Sequence, residues 1–205
     1  MSSISVIPEA AARADSSFAG AMSVPDAMLA LREYLPPGQS RSRDLALNRS
    51  VVVLTVAAWQ AWVETYVSTA LTLRYASPNS GSGDAASARL LRSVGPLVDL
   101  AINEVKRFRV PNSGEVLHLF RLLGDDPRTR WSFSVTGGRR SSDDVIGRLD
   151  DWVNVRHAIA HGAPHLPAVG VLGRTKASHG SLTKRHAAQC VTFFRALVTA
   201  TGDRD

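Results

Sequence analysis

DLALNRSVVVLTVAAWQAWVETYVSTALTLRY, residues 44–75, contains neither glycine nor proline. Leu47, Val51, Leu54, Ala58, Trp62 and Val63 recur at steps of one, three or four residues, the spacing that gathers side chains on one face of an α-helix. A long, mostly buried helix is predicted here, and the rest of the chain must supply what covers it. Its most apolar part, residues 51–63, is interrupted by Thr55 and Gln60 and stops at Glu64. That is well short of the roughly 20 residues a membrane span needs, so no transmembrane helix is expected.

On the N-terminal side, residues 1–22 mix Ala and Ser with scattered charges and predict a flexible tail. Residues 23–43 predict an accessory helix and linker. Ser23 stands as its cap, Pro25 in its first turn, Met28, Leu31 and Leu35 share a face, and Pro36, Pro37 and Gly38 end it. The main domain is assigned to residues 44–202. Beyond the long helix, Asp84 is a plausible N-cap for a helix reaching about Phe108, broken or kinked at Gly95–Pro96. Ser113 caps a short helix with Val116, Leu117, Phe120 and Leu123 on one side and Gly124 as its stop. Residues 125–140 read as irregular, with the alternation Trp131, Phe133, Val135 suggesting a short strand or hairpin arm. Ser141 and Asp144 form a capping-box pattern that opens a helix to His161, stopped by Gly162. After a Gly- and Pro-rich connection, a last helix near residues 183–201 turns Ala187, Cys190, Val191, Phe194 and Val198 inward. The sum is a mostly α bundle of about five or six helices with two long irregular connections.

Composition agrees with a globular chain. Of 205 residues, 44% are hydrophobic and 20% charged, which excludes wholesale disorder, collagen and fibrous coiled coil. Cys190 is the only cysteine, so neither an internal disulfide nor a multi-thiolate metal site can form, and its apolar neighbours mark it as core. Glu9, Arg13 and Asp15 break any signal-peptide pattern, and a cytoplasmic protein is expected. Basic residues outnumber acidic ones 24 to 18, and only Lys106, Lys176 and Lys184 are lysines. Arginine-weighted basicity suits phosphate recognition, since the guanidinium fork is bidentate toward phosphate oxygens.

The chemistry concentrates in RLDDWVNVRHAIAHG, residues 148–162. Stepping 100° per residue places Val145, Leu149, Trp152 and Ile159 on an apolar stripe with Arg156 in its middle, where a charge is costly unless paired or used. Arg156 either snorkels outward, pairs with an acid such as Asp151 or Glu64, or serves a purpose at an interface. His157 and His161 are neighbours on the opposite side, with Asn154 one turn earlier. A helical pair of histidines can bind zinc, but the metalloprotease pattern needs glutamate where this chain has Ala158. His165 is the one further ligand in reach, and neither a metal nor a cofactor is expected.

The string RHAIAHG at residues 156–162 resembles the signature of the HEPN superfamily: an arginine, a polar residue, then a histidine a few positions on. Arg156, His157 and His161 fill those three places. Residues 47–64 and 110–124 resemble the RiboL-PSP branch of that superfamily, and the likeness spans about residues 44–200. Gln60 departs from it, falling where that branch is expected to carry glutamate. The resemblance implies a helical bundle that homodimerises through the motif-bearing helix, and a metal-independent endoribonuclease. In that reading Arg156 holds the scissile phosphate, His161 acts as general base or acid, and His157 positions substrate or supplements proton transfer. RNA cleaved by its own 2′-hydroxyl would end in 2′,3′-cyclic phosphate. A defence, stress or toxin–antitoxin setting, with an antitoxin or other regulatory protein as partner, is what such a nuclease implies.

Asn154, Arg139 and Arg140 are the expected substrate-binding residues. Other basic pairs (Arg107 and Arg109, Arg128 and Arg130, Arg174 and Lys176, Lys184 and Arg185) form either an electrostatic track for RNA or merely solvated loops and helix ends. Trp131 and Phe133 either stack on bases or plug the core. The alternative to an enzyme is a non-catalytic bundle that dimerises or binds RNA or protein.

Overall fold

The helix expected over residues 44–75 is present as α2, Arg41–Ala76, and the other helices pack around it. The computed structural model describes residues 6–31, 41–76, 85–135, 138–173 and 182–202. Within them the helices are α1 (Val6–Leu31), α2, α3 (Ala85–Arg107), α4 (Ser113–Leu122), α5 (Ser142–Ala160) and α6 (Lys184–Gly202). Two 3-10 turns, Pro127–Arg130 and Gly170–Leu172, and a two-residue antiparallel pair, β1 (Ser134–Val135) with β2 (Gly138–Arg139), lie in the connections. The expected mostly α bundle is what the chain forms.

Aromatic rings join the elements into one core. Tyr66 on α2 stacks on Phe120 of α4 at 5.3 Å and on Trp62 at 5.1 Å, and Trp62 stacks on Trp59 at 5.4 Å. Trp59 then meets Phe194 of α6 at 6.1 Å, and Phe193 touches both Phe194 and Phe133. Each such pair adds about 0.5–1.5 kcal/mol beyond the area it buries. By length and mean hydropathy Ser42–Tyr75 would suffice to cross a membrane. The apolar run at residues 51–63 alone does not show this, because Leu71 and its neighbours extend the apolar character beyond Glu64. Here α1, α3, α5 and α6 pack against that helix, and Val52, Val56, Trp59, Trp62 and Tyr66 are buried.

The N-terminal expectation is corrected. Over the described residues, the expected flexible tail 1–22 and the accessory helix expected from Ser23 are one helix, α1. Ala10, Ala14, Phe18 and Met22 are all buried at a step of four, and two of these are alanines, the best helix former. Their small side chains let α1 lie close along α2, where Asp15 accepts a hydrogen bond from Trp62 Nε1 at 2.8 Å. Ser23 does not cap a helix; its hydroxyl donates to the Gly20 carbonyl at 2.7 Å. Pro25 lies inside α1, and an ion pair between Asp26 and Arg195 anchors the next residue to α6.

Elsewhere α3 and α4 form where they are expected, with differences in detail. α3 continues through Gly95 and Pro96. α4 is capped by Asn112 rather than Ser113: Asn112 Oδ1 accepts from Glu115 N, while Ser113 donates through N and Oγ to the two carboxylate oxygens of Asp150, each at 2.8 Å. Trp131 is fully buried, its Nε1 donating to Thr201 Oγ1 at 2.9 Å, so its ring is closed to bases.

Candidate functional site

α5 is defined at both ends by its own sequence. At its start, Ser141 Oγ accepts from Asp144 N at 3.2 Å and Asp144 Oδ2 accepts from Ser141 N at 3.3 Å, the expected capping box. At its end, Gly162 adopts φ +65, a conformation that suits glycine. Gly162 N donates to Ile159 O and Ala163 N to Ala158 O, the paired bonds of a Schellman stop. His161 is thereby the C-cap residue, with His157 one turn before it.

These two histidines come together as expected. Their rings lie 4.2 Å apart, tilted by 52°, and both are exposed, as is Asn154 on the same side. Arg156 lies a third of a turn away, toward Val145, Leu149 and Trp152, which are buried. It is only half-buried, but its Nε is enclosed with no hydrogen-bond partner. Neither suggested acid neutralises it. Asp151 Oδ2 accepts from Val171 N at 3.1 Å, and Glu64 Oε1 accepts from Gln60 Nε2 at 2.9 Å. Among the described residues Arg156 forms no hydrogen bond or ion pair with either histidine. One chain therefore assembles the histidine pair and sets the arginine on the adjoining face of the same turn.

The basic pairs divide into two groups. Arg128 pairs with Asp126 at 2.5 Å, Arg130 with Asp125 at 2.8 Å and Arg107 with Glu104 at 3.4 Å, so three expected members of an RNA track are neutralised locally. The Arg128 guanidinium holds the Asp126 carboxyl below the usual carboxylate range. Arg174 and Lys176 lie outside the described residues. Arg139 is placed in β2 by its backbone.

Arg140 belongs to the second group. It lines a cleft of about 380 Å³ with Arg148 of α5, Gly170 and Val171, and Arg185, His186 and Gln189 of α6. The Nε atoms of Arg140 and Arg148 are both buried without a hydrogen-bond partner. Burial, and then the neighbouring Arg140 charge, pull the Arg148 guanidinium below its ordinary pKa against the opposing influence of Asp151 and Asp144. Sequence reasoning finds Arg140 and, among the other basic pairs, Arg185, but misses Arg148 and His186 as their companions. They come from separate segments, and no local pattern links them.

Among the described residues no three His, Cys, Asp or Glu side chains converge in a way that could hold a metal ion. In comparisons with known protein families, curated proteins and solved structures, the chain matches none.

Proposed function

We propose that this chain is a metal-independent endoribonuclease of the HEPN type, acting through the last turn of α5. The observation that carries the reading is the exposed His157–His161 pair, 4.2 Å ring to ring, on the same turn as Arg156. Self-cleavage of RNA needs a base to take the 2′-hydroxyl proton as that oxygen attacks phosphorus. It also needs an acid to protonate the departing 5′-oxygen as the P–O5′ bond breaks. Two imidazoles in contact can meet both needs, since an imidazole serves as either proton acceptor or proton donor. Arg156 would neutralise charge gathering on the phosphoryl oxygens. Because it stands on the adjoining face, a second copy facing α5 would complete the cleft, which makes the homodimer part of the proposal. RNA is the substrate, and a restraining antitoxin-like protein the expected cellular partner.

Wild type, Arg156→Ala and His161→Ala proteins incubated with labelled RNA, with and without EDTA, test it. Cleavage by wild type, unchanged by EDTA and leaving 2′,3′-cyclic phosphate, is expected, with a loss of about 100-fold or more in His161→Ala. Ends bearing 5′-phosphate, or a fully active His161→Ala, would overturn it. The separation of Arg156 from the histidines within one chain favours a second reading, a bundle that binds RNA or protein without cutting. Binding without cleavage across a broad RNA panel is its signature.

A further inference from the structure

We propose that the cleft between α5, the Gly170–Leu172 turn and the start of α6 is a binding site for a phosphate group, held by Arg140, Arg148, Arg185 and His186. Three arginines from three segments line one cavity of about 380 Å³, and among the described residues none of the three guanidinium groups has an ion-pair partner. This sets them apart from Arg107, Arg128 and Arg130, each satisfied by a nearby carboxylate.

Two of the three have a buried Nε that donates to nothing. Those Nε atoms are enclosed, so an oxyanion in the cleft would be met by the outer nitrogens of the guanidinium groups, as charge-assisted hydrogen bonds. Arg140 also disfavours the charge on Arg148; a bound anion between them turns that mutual repulsion into two attractions. Asp151 and Asp144 offset part of this repulsion, but among the described residues neither forms an ion pair with these arginines. Asp144 is engaged in the Ser141 capping box, and Asp151 accepts the Val171 amide.

The α6 side adds donors. Arg185 and His186 sit in its first turn, where the helix end carries partial positive charge. His186 Nδ1 accepts from Thr183 N at 3.3 Å, and the ring lines the cleft. Gly170 lines the cleft and packs closely on α5: a Cβ there would stand 3.1 Å from Asp151 Oδ2.

The cleft is separate from the histidine pair, since Arg148 and His157 are about 13 Å apart along α5 at 1.5 Å per residue. It does not depend on the nuclease reading. The ligand chemistry is a phosphate oxyanion, whether a small phosphate or a phosphodiester of an RNA chain.

Calorimetric titration of the full chain with inorganic phosphate, and with a short oligoribonucleotide lacking terminal phosphates, tests it. Arg185→Ala, an exposed position that disturbs no core contact, and Arg148→Met, which keeps the aliphatic stem, are titrated alongside, with helicity checked by circular dichroism. Saturable binding of at least one probe, weakened tenfold or more by each substitution, is expected. Response to inorganic phosphate identifies a small-phosphate site, and response to the oligoribonucleotide alone a phosphodiester site. Absence of saturable binding by both probes, or weakening of less than tenfold in either folded variant, overturns the proposal. Wild type that binds a probe saturably but cuts no RNA overturns only the nuclease reading; wild type that cuts RNA but binds neither probe saturably overturns only the cleft.

Discussion

Cys190 shows how far a single residue's surroundings set its chemistry. It is fully buried on α6 among Ala187, Val191 and Phe194, and burial pushes its thiol well above the ordinary value. The thiolate is the reactive form. Iodoacetamide should therefore leave Cys190 unmodified in the native protein at pH 8 and label it fully in urea, with the native rate following global unfolding; rapid native labelling read by mass spectrometry would contradict that burial. Its core role is legible from apolar neighbours alone. The same is true of His157 and His161, whose four-residue spacing fixes their contact on any helix. Arg156 is only half legible: periodicity places it on the apolar stripe, but whether an acid reaches it depends on Asp151 and Glu64, each of which gives one oxygen to another donor, Val171 N and Gln60 Nε2.

Among the elements, α5 and α6 can be read from the chain because their signals are local. The Ser141–Asp144 box spans three residues, and Gly162 meets a backbone requirement at one position. α1 cannot be read that way. Its buried face is half alanine, so it lacks the large apolar residues that make a stripe visible, and Pro25 resembles a helix start. Only the packing of α1 on α2 and α6 shows that Ala10 and Ala14 permit close approach. Phe18→Ala should cost roughly 3 kcal/mol, since it removes a core ring and leaves a cavity. In a chain of this size that lowers the melting temperature by about 6–12 °C in a calorimetric scan. An unchanged melting temperature would restore the picture of a loose N-terminal tail. The basic cleft escaped sequence reading for a related reason: Arg140, Arg148 and Arg185 acquire a common meaning only once a hairpin and two helices meet.

For the whole molecule, the proposed dimer has two places to form. One is the exposed side of α5 that carries Asn154, His157 and His161 beside half-buried Arg156; the other is α3, where Leu97 and Leu100 are 63% and 57% exposed. If the α5 face is the seam, sedimentation should give twice the 22.0 kDa of one chain, and the double variant Leu97→Glu/Leu100→Glu should keep that mass. A monomeric double variant would move the seam to α3. The aromatic column carries a different consequence, one that concerns synthesis. Trp59 and Trp62 are made early, but Phe194, which covers one end of that stack, belongs to the final helix described. At about 5–20 residues per second, more than a hundred residues of translation leave the tryptophans of α2 waiting for several seconds without α6. During that interval the ribosome-bound nascent chain presents an oily seam that a chaperone can clasp, and a message truncated before α6 would release a product prone to aggregate.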